Sequence, residues 1–425
     1  MNAEARLRIR RSGPLAGTVT IPGAKNSVLK LMASTLLADG EFTLTNVPAI
    51  TDVGTMSELL EAVGVRSQMV APGVLQMVTG SHITPVAPAE LVERIRASVN
   101  LLGPLLGRFG RVTLAMPGGD DFGSRPIDMH IKALEAMGAE FTIRRDVIEA
   151  RADRLHGAPI ALEFPSVGAT ENILTAAVHA KGITVIDNAA REPEISDLCD
   201  FLVGMGANVS GIGTSTLTIE GIEPGSLQPT THATVPDRIQ AATYLAAVGV
   251  CQGHITLLGA RADHMEMLLQ RFQRMGLSVT ELPDRAGLEV RSSARLKSTD
   301  VATLPYPGVA TDYKPLIVAM LSVADGVGIV TENLYPGRFR YVEELQRLGA
   351  DIRADGHHAV VRGVPSLTGC EVTAPDIRAG AAMVVAGLAA DGDTFVSGVR
   401  HIDRGYDDLV GRLSSLGADV VRLDS

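Results

Sequence analysis

Apolar and polar positions along this chain alternate in a pattern that recurs with a long period. One phrase, an apolar helix end followed by glycine and a β-like run, occurs six times, with its glycines at Gly64, Gly138, Gly206, Gly276, Gly349 and Gly417. Their spacings are 74, 68, 70, 73 and 68 residues. A second set of helix-to-strand glycines, Gly40, Gly110, Gly182, Gly253, Gly326 and Gly392, precedes the first by 23 to 28 residues in every unit. Glycine after a helix is the usual left-handed stop, and the runs Phe42 to Thr45, Ile183 to Ile186 and Thr394 to Ser397 have the β-branched and aromatic content of strands.

Each unit therefore reads helix, glycine, strand, loop, helix, glycine, strand. The period is too long for a thin solenoid and predicts compact groups of three, giving an α/β protein of two domains with three repeated units each. The sixth unit ends in a strand near Ala418 to Leu423, while an unpaired strand near Arg6 to Arg10 opens the chain. Completing the last group with that strand predicts a first domain over 22–234, with a lid loop at 117–125, and a second built from 1–21 plus 235–425. The chain then crosses twice, near Ile21 to Ala24 and near Thr230 to Pro236. A cleft between two similar domains is a common place for a ligand.

Composition narrows the function. With 425 residues, 46% of them hydrophobic, the chain can bury large cores, and its net charge of -10 weighs against nonspecific nucleic-acid binding. Three widely separated cysteines, Cys199, Cys251 and Cys370, suggest neither a disulfide framework nor a zinc site and fit a reducing cytoplasm. The first twelve residues are charged, and no run approaches eighteen apolar residues, so neither a signal peptide nor a membrane span is expected. The oligomeric state is not legible.

The stretch Pro117 to His130 is an acidic, glycine-rich loop running into a helix, and its three glycines, Gly118, Gly119 and Gly123, suit a lid that folds down over a reaction. Arg125 and Asp128 stand three apart at the helix start, where an arginine beside free N–H groups grips an anion. Lys25, in Gly23-Ala24-Lys25-Asn26-Ser27, opens another helix and suits a phosphate or carboxylate; a solvated lysine beside a helix cap explains it equally. Arg96 and the run Ser166-Val167-Gly168-Ala169-Thr170 share that ambiguity, as do Pro236-Asp237-Arg238 and Thr311-Asp312. Equivalent places in the repeat put Asp312, Arg378 and Arg404 at corresponding ends of three units, where they can converge on one rim.

Taken together, Gly23-Ala24-Lys25-Asn26, Arg96-Ala97-Ser98, Pro117-Gly118-Gly119, Gly123-Ser124-Arg125-Pro126-Ile127-Asp128, Ser166 to Thr170, Asn188 to Glu194, Pro236-Asp237-Arg238 and His401 to Tyr406 resemble the UDP-N-acetylglucosamine 1-carboxyvinyltransferases, in order along the whole chain. The resemblance implies two inside-out α/β barrel-like domains and transfer of enolpyruvyl from phosphoenolpyruvate to the 3'-hydroxyl of UDP-N-acetylglucosamine, the first committed step of peptidoglycan synthesis. It implies no metal and no organic cofactor, and small-molecule substrates as partners. Carried over by motif, Lys25, Arg125, Arg378 and Arg404 hold phosphoenolpyruvate, while Asn26, Arg96, Arg125, Pro126, Ile127, Asp128, Met129, Ser166, Val167, Gly168 and Asp312 line the UDP-sugar. Catalytic roles fall to Lys25, to Asp312 as base and to a lid acid. That acid is usually cysteine and here is Asp120, with Asp121 beside it as the alternative.

Further departures surround the acceptor. Val309-Ala310-Thr311 replaces a usual Phe-Pro-Thr, Lys314 a glutamine, Pro336 an acidic residue and Asn100 an occasional tryptophan. They favour one alternative, enolpyruvyl transfer to another uridine nucleotide such as UMP; a noncatalytic protein that senses UDP-sugar is a second, against which the retention of Lys25, Asp312, Arg378 and Arg404 together counts.

Overall fold

The structure, a computed structural model, describes residues 5–118, 126–335 and 337–423. Of these, the residues up to Pro22 and from Pro236 onward pack as one compact unit, and those from Gly23 to Val235 as another.

The two sets of glycines are the joints of both units. All twelve have positive φ, between 66° at Gly110 and 124° at Gly40, where a side chain would be strained. The turns they make lead into strands that assemble, among the described residues, into three sheets in the Gly23–Val235 unit, and three larger sheets plus a two-stranded pair in the other.

One plan recurs. An entering strand runs parallel to a second, which pairs antiparallel with a third and the third with a fourth. Leu15–Thr20, Gly253–Leu258, Gly287–Ser292 and Ser278–Glu281 show it, as do Pro159–Ala161, Ile183–Asp187, Thr216–Glu220 and Asn208–Ser210. In the last sheet the third position is filled by Arg6–Arg10, which lies antiparallel between Asp393–Ser397 and Val420–Leu423. In the first sheet the entering strand is Thr231–Ala233, parallel to Gly40–Thr45. The Gly23–Val235 unit thus recruits a distant stretch of chain to one sheet, and the other unit recruits N-terminal strands to two.

Helices form the interior. Arg238–Cys251, Lys314–Ser322 and Ile377–Gly387 are buried on nearly every side and pack on one another. In the other unit Lys25–Ser34 and Val167–Ala177 are similarly enclosed, and Leu102–Phe109 packs on the latter. A helix that is apolar all round belongs in a core, whereas strands such as His358–Arg362 bury alternate residues and turn the others to solvent. The sheets are therefore outside and the helices inside, and Lys25, Asp128, Ser166, Arg238 and Arg378 stand at helix starts. Among the described residues no helix is long and apolar enough to cross a membrane.

Candidate active site

In the Gly23–Val235 unit, Gly23 is dictated by close approach: a Cβ there would lie 1.8 Å from the Asn46 carbonyl oxygen. The tight passage delivers Lys25 as the first residue of Lys25–Ser34. Lys25 is not the solvated lysine its sequence allows. It is buried, with Nζ 2.7 Å from Asp52 Oδ2, and Asp52 itself lies in the first turn of Thr51–Val63. The helix is anchored behind Lys25 by Ser27, which donates to Asp197, and by Lys30, which donates to Glu171. Asp197 also takes His232 Nε2 at 2.7 Å. Asn26 faces solvent.

Arg96 opens the short helix Arg96–Leu101 and donates through Nη1 to the Pro117 carbonyl at 3.3 Å, tying Pro117 to this helix. Ser166 caps Val167–Ala177, its Oγ accepting from Ala169 N at 3.3 Å. Of the run Pro126 to Met129, Ile127 is buried, Pro126 and Asp128 are exposed, and Asp128 opens Asp128–Ala136. The residue after Met129, His130, ends the Pro117 to His130 stretch and has no role in the sequence pattern. It is buried, and among the described residues neither ring nitrogen has a hydrogen-bond partner. Burial, helped by the charge of Arg96, pushes its imidazole down to about 4. Its ring presses on Gly168, where a Cβ would lie 2.8 Å from Nε2. Arg96, His130 and Gly168 thus form one group at three helix starts. Asp120, Asp121, Arg125 and Pro336, expected at the site or beside it, lie outside the described residues.

In the other unit Asp312 and Arg378 do converge; Arg378 and Arg404, expected in separate repeat units, both fall in the sixth, which runs from the Ile377–Gly387 helix through Gly392 to Gly417. Asp312 is not a helix cap: it sits within the single turn Thr311–Tyr313, whose N-cap is Ala310. Its Oδ1 lies 3.0 Å from Arg338 Nη1 and its Oδ2 3.5 Å from Arg378 Nε. Burial favours the neutral carboxyl, but the guanidiniums of Arg378 and Arg338 outweigh it and hold the group well below the usual carboxylate range. Arg378 is 5% exposed, begins the Ile377–Gly387 helix behind the Asp376 cap, and has no hydrogen-bond partner for Nη1 among the described residues. Tyr406 lies over it, the ring 6.0 Å away, with its hydroxyl 2.8 Å from Thr243 Oγ1. Arg404, half-buried, follows Val399–Asp403 two residues before Tyr406.

Arg238 belongs to the same unit: the Asp237 cap starts its helix, and its Nη1 donates to the Tyr313 hydroxyl at 3.0 Å. Arg338 and Arg238 are functional candidates that repeat position did not single out. Arg338 lies in a loop between elements, where helix-end reasoning has no purchase. Among the described residues no group of three or more His, Cys, Asp or Glu could hold a metal ion.

A profile of the EPSP synthase (3-phosphoshikimate 1-carboxyvinyltransferase) family matches residues 9–413. The UDP-N-acetylglucosamine 1-carboxyvinyltransferase of Mycobacterium bovis is 50% identical over 411 residues, 96% of this chain and 97% of that protein. The enzyme of the same name from Caldanaerobacter subterraneus subsp. tengcongensis, numbered 1, is 43% identical over 97% of this chain and 98% of its own. Among solved structures, the enolpyruvyl transferase NikO from Streptomyces tendae superposes with a TM-score of 0.89 at 24% identity, covering all of both chains. EPSP synthase from Acinetobacter baumannii superposes with a TM-score of 0.75 at 18% identity, over 99% of this chain and 100% of its own. These likenesses establish the enolpyruvyl transferase fold, with its mixed α/β units. By the profile match and the identity to curated relatives over almost the whole length, the chain belongs to the EPSP synthase family of enolpyruvyl transferases.

Proposed function

We propose that this protein transfers the enolpyruvyl group of phosphoenolpyruvate to the 3'-hydroxyl of UDP-N-acetylglucosamine with release of phosphate, committing the nucleotide sugar to peptidoglycan. The observation that carries the reading is 50% identity along 96% of the chain to a protein of that name. NikO, at 24% identity, speaks only to the fold.

The chemistry proceeds by addition and elimination. The methylene carbon of phosphoenolpyruvate takes a proton, the sugar hydroxyl loses one as its oxygen bonds to the adjacent carbon, and the resulting ketal expels phosphate while the methyl group returns a proton. Asp312 is the base for the hydroxyl, and Asp120 is the acid for the methylene carbon. Lys25, Arg125, Arg378 and Arg404 bind the phosphate and carboxylate of the donor; the buried Nη1 of Arg378, without a protein partner among the described residues, supports an anion there. Arg96, Ser166, Val167, Gly168 and the 126–129 run hold the nucleotide.

The electrostatics of the free protein make Asp312 a weak base, because two guanidiniums lie on its oxygens. A donor anion that competes for Arg378 removes part of that stabilisation and raises the basicity of Asp312 when the acceptor is in place. Asp312→Asn tests the assignment. The expected protein binds UDP-N-acetylglucosamine by calorimetry but turns over at a rate at least a hundredfold lower, of the order that loss of a general base brings. An unmodified protein that binds the nucleotide sugar and never consumes phosphoenolpyruvate would instead be a sensor.

A further inference from the structure

Behind Asp312 lies a second charged pair that no solvent reaches. Lys314 and Glu332 are both fully buried, with Nζ 2.9 Å from Oε2. Glu332 also accepts from Thr311 Oγ1 and Thr303 Oγ1, each at 2.7 Å, and from the N–H groups of Leu334 and Tyr335 at 2.8 and 3.1 Å. Lys314 donates to the Arg338 carbonyl at 2.5 Å, and its ammonium sits 3.9 Å from the centre of the Phe339 ring. A buried pair of this kind is weak evidence for stability, since desolvation offsets much of its attraction, so its connections matter more than its charge.

Those connections lead to the proposed base from both sides. Through Thr311, Glu332 grips the turn on which Asp312 rides, and through the Arg338 carbonyl, Lys314 grips the loop that carries the guanidinium on Asp312. Arg338 Nη1 closes the circuit by donating to Thr311 Oγ1 at 3.0 Å. The geometry points to Lys314 and Glu332 as a positioning pair that sets the distance between Asp312 and Arg338, and so the readiness of Asp312 to take a proton. Both side chains are fully buried, so they act through Thr311 and Arg338. The inference rests on Asp312 being the base of the proposed reaction, although the geometric claim stands apart from it.

Two variants and two readouts test this. Lys314→Met leaves Glu332 buried without its cation, so both thermal stability and kcat are expected to fall. The double variant Lys314→Met, Glu332→Met removes both charges and is expected to regain stability while kcat stays at least tenfold down, because the tethers to Thr311 and Arg338 are gone. A double variant with recovered stability and a kcat within twofold of the unmodified protein would reduce the pair to a structural role and overturn the inference. A crystal structure of the double variant supplies the second readout. The Asp312 to Arg338 contact is expected to open beyond 4 Å (a distance past ion-pair range), and an unchanged contact overturns the inference. Should the unmodified protein release no phosphate with any acceptor, the functional reading fails, and the crystallographic arm still decides the positioning.

Discussion

Asp312 carries its charge under two opposing influences, burial and the paired guanidiniums, and the guanidiniums win. Because its folded carboxyl is depressed, the stability it contributes is complete above the ordinary carboxylate value, about pH 4, and is lost as pH falls through the folded value. His130 gives the clearest pH window. Its imidazole falls from 6.5 unfolded to about 4 folded, so between those values the unfolded chain binds the extra proton. The ligand-free protein is expected to lose about 3 kcal/mol as pH drops from 6.5 to 4 on this account. Denaturant melts across that range should show the slope, and His130→Asn should flatten it; an equal slope in the variant would mean the proton goes elsewhere. At the lid, an aspartate at position 120 cannot form the thioether that cysteine gives with fosfomycin, so the purified protein should show no time-dependent inactivation by that compound. Asp120→Asn and Asp121→Asn, assayed separately, assign the acid: turnover lost only in the second would move the role to Asp121.

Helix starts are the elements on which the candidate chemistry sits, and Gly23 shows how sharply they are built. Gly23→Ala puts a Cβ against the Asn46 carbonyl, so the chain must shift just before Lys25. The variant is expected to melt lower, by a few kcal/mol in the manner of an overpacked site, and to raise KM for phosphoenolpyruvate. An alanine protein with unchanged KM would uncouple that passage from Lys25. The repeated joints were legible in the sequence because left-handed backbone demands glycine, and all twelve glycines read there have positive φ. Helix starts were legible for a different reason, through Ser166 and Asp237, polar residues whose side chains accept from the free N–H groups of the first turn. What stayed hidden was contact between distant positions. Nothing local in Lys25 announces Asp52, nothing in Asp312 announces Arg338, and His130 reads as one more polar residue on a helix until Gly168 lies against it.

At the scale of the molecule, the chain spends its first residues in its last sheet. Arg6–Arg10 completes the sheet that holds Val420–Leu423, and Thr231–Ala233 completes the sheet that holds Gly40–Thr45, so each unit closes on itself only when remote segments meet. We take these units as the domains, with crossings at 22–23 and 235–236. With the helices inside and the sheets outside, Lys25, Ser166, Arg238 and Arg378 stand at helix starts, whose free N–H groups suit anions such as those of phosphoenolpyruvate and a nucleotide diphosphate. Three of the departures from the family pattern, Val309, Ala310 and Lys314, lie within three residues of Asp312 in the sequence. Phosphate release from phosphoenolpyruvate by the purified protein, with UDP-N-acetylglucosamine and UMP as parallel acceptors and each product weighed by mass spectrometry, therefore addresses the central claim. Release with the UDP-sugar, giving a product heavier by one enolpyruvyl group, is the expected result. Release with UMP alone, or with neither acceptor, would contradict it.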